Sequence, residues 1–173
     1  MKDWELETLL SYFLLTKHVV KIKKLSEEAF IPERITKGSA AYDAILPRDY
    51  KLEFGRQILP LDVAMSMPEY LYLDSRTRAG YAAKGILAYG KDGKEYRLDA
   101  DLILGLIDSD YTDSIGAIIH VRDERVKHLD LYVHRGQAIG QLNFGFRINT
   151  MFEEVEELEE TERKGGYGKM NNE

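Results

Sequence analysis

From His18 onward the chain breaks into short apolar runs separated by turn-forming residues, and that rhythm confines it to a β fold. His18-Val19-Val20-Lys21-Ile22-Lys23 alternates with the period of a half-buried strand. Pro32, Gly38, Pro47, Gly55, Pro60 and Pro68 punctuate the stretch that follows. Leu71-Tyr72-Leu73, Gly85-Ile86-Leu87-Ala88-Tyr89, Leu102-Ile103-Leu104, Gly116-Ala117-Ile118-Ile119 and Leu131-Tyr132-Val133 read as further strands. Lys91-Asp92-Gly93-Lys94 reads as a hairpin turn, because Asp-Gly accepts the positive φ angles of a tight turn. Many short strands with turn signals between them predict a sandwich, jelly roll or barrel. No internal repeat is present.

The two ends depart from this rhythm. Residues 4–15 place Leu6, Leu9, Leu10, Phe13 and Leu14 on one face at helical spacing, with Asp3 in position to cap. Such an amphipathic helix packs on its own domain or on a neighbouring subunit. At the other end an acidic run, residues 153–160, precedes Arg163-Lys164-Gly165-Gly166-Tyr167-Gly168-Lys169-Met170. That composition builds no core. It reads either as a frayed end or as an arm that orders over an anionic ligand, with glycine N–H groups and cations meeting the charge. The chain therefore divides into a helix at 1–17, a β domain at 18–152 and a C-terminal arm at 153–173.

Composition narrows the function classes. With 173 residues the chain is long enough for one domain with a real core. A net charge of -6, with no basic stripe, argues against a nucleic-acid partner, while a few placed cations still suffice for a small anion. The absence of cysteine excludes disulfides, thiol nucleophiles and Cys-ligated zinc, and suits a cytoplasmic setting. His18, His120, His128 and His134 show no zinc spacing. No apolar run has membrane-spanning length, and the acidic start does not read as a secretory signal.

Five separated segments carry a resemblance. Ser39-Ala40-Ala41-Tyr42-Asp43, Thr77-Arg78-Ala79-Gly80-Tyr81-Ala82-Ala83-Lys84, Gly105-Leu106-Ile107-Asp108-Ser109-Asp110-Tyr111, Gly136-Gln137-Ala138-Ile139-Gly140-Gln141-Leu142 and Arg163-Lys164-Gly165-Gly166-Tyr167-Gly168 resemble, in order, the five motifs of the trimeric dUTPases. The third is the most specific. The resemblance covers roughly residues 18 to 170, leaving the N-terminal helix and the hairpin around Asp92-Gly93 outside the pattern. It implies an all-β, jelly-roll-like distorted barrel subunit with an added N-terminal helix and a flexible C-terminal arm. It also implies a homotrimer whose active sites are shared between chains.

The implied reaction is hydrolysis of dUTP to dUMP and pyrophosphate. Asp108 would activate the water that attacks the α-phosphate, a role that suits a carboxylate. Without the other motifs, Asp108 reads equally well as a turn residue. Asp43 would orient Arg163 or a metal-bound water. Tyr111 would press on the deoxyribose and leave no room for a ribose hydroxyl. Backbone groups from Leu102 to Leu106, with Gly105 allowing close approach and Ile107 following, would read uracil. Arg78, Ala79, Gly80, Gln141, Arg163, Gly168 and Lys169 would meet the phosphates, and Tyr167 would stack over the base. Mg²⁺ would be held by substrate phosphates and waters, with no direct protein ligand.

Several positions depart from the pattern. Ala79 stands where the family carries serine, Ala138 where it carries arginine, and Asp113 where glycine is usual. Loss of the serine hydroxyl predicts a slower enzyme. Two alternatives follow: a dUTP-binding regulatory module with weak or no hydrolysis, and a dCTP deaminase relative. The deaminase would need a glutamate just after the third motif, where this chain has Ala117-Ile118-Ile119.

Overall fold

The computed structural model describes residues 3–159. Arg163, Tyr167, Gly168 and Lys169 lie outside them. The chain opens with helix α1 (Asp3–Leu15), followed by twelve strands and a second short helix. The strands are β1 (Lys21–Lys24), β2 (Tyr42–Ile45), β3 (Tyr50–Lys51), β4 (Gly55–Ser66), β5 (Leu71–Arg76), β6 (Ile86–Gly90), β7 (Glu95–Leu98), β8 (Ala100–Leu102), β9 (Leu106–Ile107), β10 (Ile115–Val121), β11 (Leu131–Val133) and β12 (Ala138–Phe146). Helix α2 (Ala79–Lys84) lies between β5 and β6. No helix among the described residues is long and apolar enough to cross a membrane.

The strands form three four-stranded sheets, ordered β1-β4-β10-β8, β3-β11-β6-β7 and β2-β12-β5-β9. Every pairing is antiparallel. The expected all-β, jelly-roll-like class is the class observed. Alternation explains the packing. Ile115, Ala117, Ile119 and Val121 of β10 are buried, while the intervening residues face outward. They meet Leu59, Leu61, Val63 and Met65 of β4, and Leu131, Val133, Ile139 and Leu142 complete one core with them.

Pro60 does not interrupt a strand. It lies inside the twelve-residue β4. Gly116 pairs with Pro60 but Ile115 pairs with Val63, so Leu61 and Asp62 form a bulge. Asp62 takes a positive φ of 55°, and the Tyr50 hydroxyl donates to the Pro60 carbonyl at 2.6 Å. A bulge is one of the few places in a sheet that tolerates proline.

Local boundaries moved in other places. The first strand begins at Lys21 rather than His18, because His18 joins an aromatic cluster. Its ring lies 4.8 Å from Phe13 and 5.5 Å from Phe146, and Nε2 sits 3.0 Å from the Phe13 carbonyl oxygen. Through Phe13, α1 is seated on β12, while Leu9, Leu10, Tyr12 and Leu15 stay exposed. The β6–β7 hairpin forms where Asp92-Gly93 predicts it. Gly93 N–H donates to the Gly90 carbonyl and Gly90 N–H to the Lys94 carbonyl, each at 2.9 Å. Only Gly93 uses a positive φ, so the loop is a turn followed by a left-handed glycine.

Candidate active site

β5 ends in a run that alternates between two duties. Ser75 and Thr77 turn toward the loop that follows β8. Arg76 pairs instead with Asp74 at 2.8 Å, which accounts for the cation that had no place in the motif reading. Arg78 then breaks into α2, with its carbonyl accepting from the Tyr81 and Ala82 N–H groups at 2.9 Å. No side chain caps this helix.

Antiparallel register brings three motif residues together. Gln141 on β12 pairs with Asp43 on β2 and with Arg76 on β5. Asp43 is 4% exposed. Its carboxylate lies 3.5 Å from Arg78 Nη2 and 3.5 Å from Gln141 Nε2. A buried carboxylate needs such partners, and here it fixes the direction of both donors. Beyond them opens a cleft of about 410 Å³ lined by Arg78, Ala79, Gly80, Tyr81, Lys84, Arg97 and Gln141. The three cations face it and no carboxylate lines it.

The base-reading segment is tied to β5 by hydroxyls. Ser75 Oγ accepts from Gly105 N–H at 2.9 Å, and Ser75 N–H donates to the Gly105 carbonyl at 2.9 Å. Thr77 Oγ1 donates to the Leu102 carbonyl at 3.2 Å. Ile103 N–H donates to Ile118 O at 2.7 Å. Leu102 is buried, whereas Leu104 and Leu106 are exposed. Among the described residues the Leu104 peptide groups make no backbone pairing. β9, which holds Leu106 and Ile107, is the edge strand of its sheet. The unpaired edge thus falls at Leu104 to Ile107.

Asp108 follows this edge. Its side chain is exposed, and among the described residues it has no hydrogen-bond or ion-pair partner. Its carbonyl accepts from Tyr111 N–H at 3.2 Å, closing the turn. The Tyr111 ring is 44% exposed, with its hydroxyl donating to the Ser114 carbonyl at 3.1 Å. Asp108 and Tyr111 are not among the residues lining the cationic cleft. One chain therefore gathers Asp43, Arg78, Ala79, Gly80 and Gln141, and separately gathers Leu102, Gly105, Leu106, Ile107, Asp108 and Tyr111.

Three contributors escaped the motif reading. Gln137 Nε2 donates to the Tyr81 hydroxyl at 2.8 Å and to the Leu87 carbonyl at 2.7 Å, joining the fourth segment to α2 and β6. Ser75 could have been found from its alternation with the arginines. Arg97 carried no local signal, because the hairpin fold places it. Its strand is clamped: Arg125 Nη2 donates to the Arg97 carbonyl at 2.5 Å, and Arg125 Nε donates to Asp123 Oδ1 at 2.9 Å. The Arg125 guanidinium holds the Asp123 carboxyl down to about 2.

Among the described residues no group of three or more His, Cys, Asp or Glu gathers to hold a metal.

The jelly-roll-like fold places the chain in a known class. A family model described as dUTPase matches residues 27–169. The deoxyuridine 5'-triphosphate nucleotidohydrolase of Arabidopsis thaliana is 33% identical over 150 residues, covering 86% of this chain and 80% of that protein. The Monkeypox virus counterpart is 32% identical over 151 residues, covering 86% and 88%. A mutant dUTPase of phage 80alpha superposes with a TM-score of 0.71 at 24% identity, covering 88% of this chain and 99% of its own. Another mutant, of the Staphylococcus bacteriophage 80alpha dUTPase with dUpNHpp, gives 0.67 at 23% identity, covering 84% and 92%. The chain belongs to the dUTPase family, the dUTP diphosphatases.

Proposed function

We propose that this chain hydrolyses dUTP to dUMP and pyrophosphate as a homotrimer with shared active sites. One observation carries the reading. The cationic cleft and the Asp108 edge are each assembled but do not meet within one chain. A second chain that presents its Asp108 edge to the cleft completes the constellation. Arg78 and Gln141 bind the phosphates, and Asp43 positions both of them. Peptide groups from Leu104 to Ile107 read uracil. Tyr111 stacks on the deoxyribose and excludes a 2'-hydroxyl. Arg163, Gly168 and Lys169 of the arm add phosphate contacts, and Tyr167 covers the base.

Asp108 takes a proton from water as the water oxygen attacks the α-phosphorus. The bond from that phosphorus to the bridging oxygen breaks, and pyrophosphate leaves. Mg²⁺, carried on the triphosphate, would neutralise charge on the phosphates. The exposed Asp108 carboxylate is free to orient a water, because no neighbouring cation among the described residues holds it.

Pyrophosphate and ammonia release from dUTP, UTP, dCTP and dTTP tests the reading. Pyrophosphate from dUTP with little from UTP is the expected result, and Asp108→Asn should lower turnover by about 10²- to 10⁴-fold. Full turnover by Asp108→Asn overturns the mechanism. Ammonia from dCTP would point to deamination, for which Ile118, paired with Ile58, offers no acid. Tight dUTP binding without hydrolysis would point to a regulatory module.

A further inference from the structure

We propose that Arg97, on the hairpin that lies outside the family motifs, is a phosphate-binding residue of the active-site cleft; this rests on the hydrolysis proposed above. Arg97 lines the same cleft as Arg78, Lys84 and Gln141. It stands on β7 in register with Leu87 of β6, and the neighbouring pair Ile86 and Leu98 seats the hairpin against the end of α2. Gly85 closes that helix with φ 78°, and a Cβ there would stand 2.2 Å from the Leu98 carbonyl oxygen. The hairpin thus lies in direct contact with the segment that carries Arg78 and Lys84.

Its charge is not consumed elsewhere. The Arg97 guanidinium makes one hydrogen bond among the described residues, Nη1 donating to the Gly85 carbonyl at 3.3 Å. The acids beside it are engaged by another cation. Asp99 and Asp101 also border Arg97, but Arg122 Nη2 donates to each of them at 2.7 Å. Arg78 shares its charge with Asp43, and Ala79 offers the cleft a methyl group. An arginine with free N–H donors beside a cleft without carboxylates is matched to phosphate oxygens. Its backbone is held by β6 and by the Arg125 donor, so little order has to be gained on binding.

The test uses the full chain with Arg97→Gln, which keeps a donor for the Gly85 carbonyl but removes the charge, and Arg97→Lys, which restores the charge. Steady-state dUTP hydrolysis is measured, together with calorimetric binding of inorganic triphosphate and of dUMP. Arg97→Gln should raise KM for dUTP and weaken triphosphate binding by about tenfold or more, with Arg97→Lys in between. Binding of dUMP, which lacks the outer phosphates, should stay within twofold. Unchanged KM and unchanged triphosphate binding in Arg97→Gln overturn the proposal, while parental hydrolysis keeps the functional reading intact. A parent chain that releases no pyrophosphate overturns the functional reading, and the triphosphate titrations of parent and Arg97→Gln then decide Arg97 independently.

Discussion

Replacing Gly85 with alanine should unseat the junction between α2 and the β6–β7 hairpin, and the structure supplies the magnitude. Two costs act together. With φ 78° and ψ 169°, Gly85 occupies backbone space essentially reserved for glycine, which costs an L-residue about 1–3 kcal/mol. The new Cβ would also stand 2.2 Å from the Leu98 carbonyl oxygen and 3.0 Å from its carbon. That backbone is locked in the ladder with Ile86, so relief requires movement that costs about 1–3 kcal/mol. Reduced freedom of the unfolded chain returns about 0.4–1 kcal/mol. The net loss is about 3 kcal/mol, or roughly 6–12 °C in Tm for a chain of this length. Gly93→Ala is the control without a collision, with φ 79° and nothing within 4 Å of its Cβ. It should lose only about 1 kcal/mol. Both variants are compared with the parent by thermal and urea unfolding at one protomer concentration, because subunit association shifts Tm. Equal losses at Gly85 and Gly93 would refute the collision and the close seating of the hairpin.

Two further perturbations probe the supports of the site. Ser75→Ala leaves the Gly105 N–H without its 2.9 Å acceptor, which should cost about 1–3 kcal/mol and raise KM for dUTP; an unchanged KM with unchanged stability would remove Ser75 from the account. Asp123 is held at about 2, below its ordinary 3.8, mainly by the hydrogen bond from Arg125. A depressed carboxylate stabilises the fold fully above pH 4 or so, and the contribution fades as pH falls through about 2. Asp123→Asn should therefore cost at most roughly 2 kcal/mol at pH 7 and progressively less on acidification, as read from urea unfolding at each pH. A pH-independent difference would contradict the ion pair.

The β class was legible because alternation and turn residues act locally. Ile115, Ala117, Ile119 and Val121 are inward partners by period alone, and the Asp92-Gly93 turn closes through bonds between near neighbours, Gly93 to Gly90 and Gly90 to Lys94. Pro60 was misread as a break for a corresponding reason. Its tolerance depends on a bulge created by the partner strand, which no local window contains. His18 failed as a strand start because the rings of Tyr70 and Phe146, far away in sequence, join nearby Phe13 around it.

The Asp108 segment shows the same division. Resemblance to the dUTPase motifs marked Asp43, Arg78, Asp108, Tyr111 and Gln141 as an expected set, because each motif keeps its chemistry in a short contiguous stretch. Only the tertiary structure decided who stands beside whom. Register across β2, β12 and β5 buries Asp43 behind Arg78 and Gln141, and the hairpin fold carries Arg97 into their cleft. It also leaves Asp108 exposed and outside that cleft. Sequence specifies the groups because side-chain chemistry is local; their distances are set by strand pairing between residues far apart in the chain, and only folding fixes those.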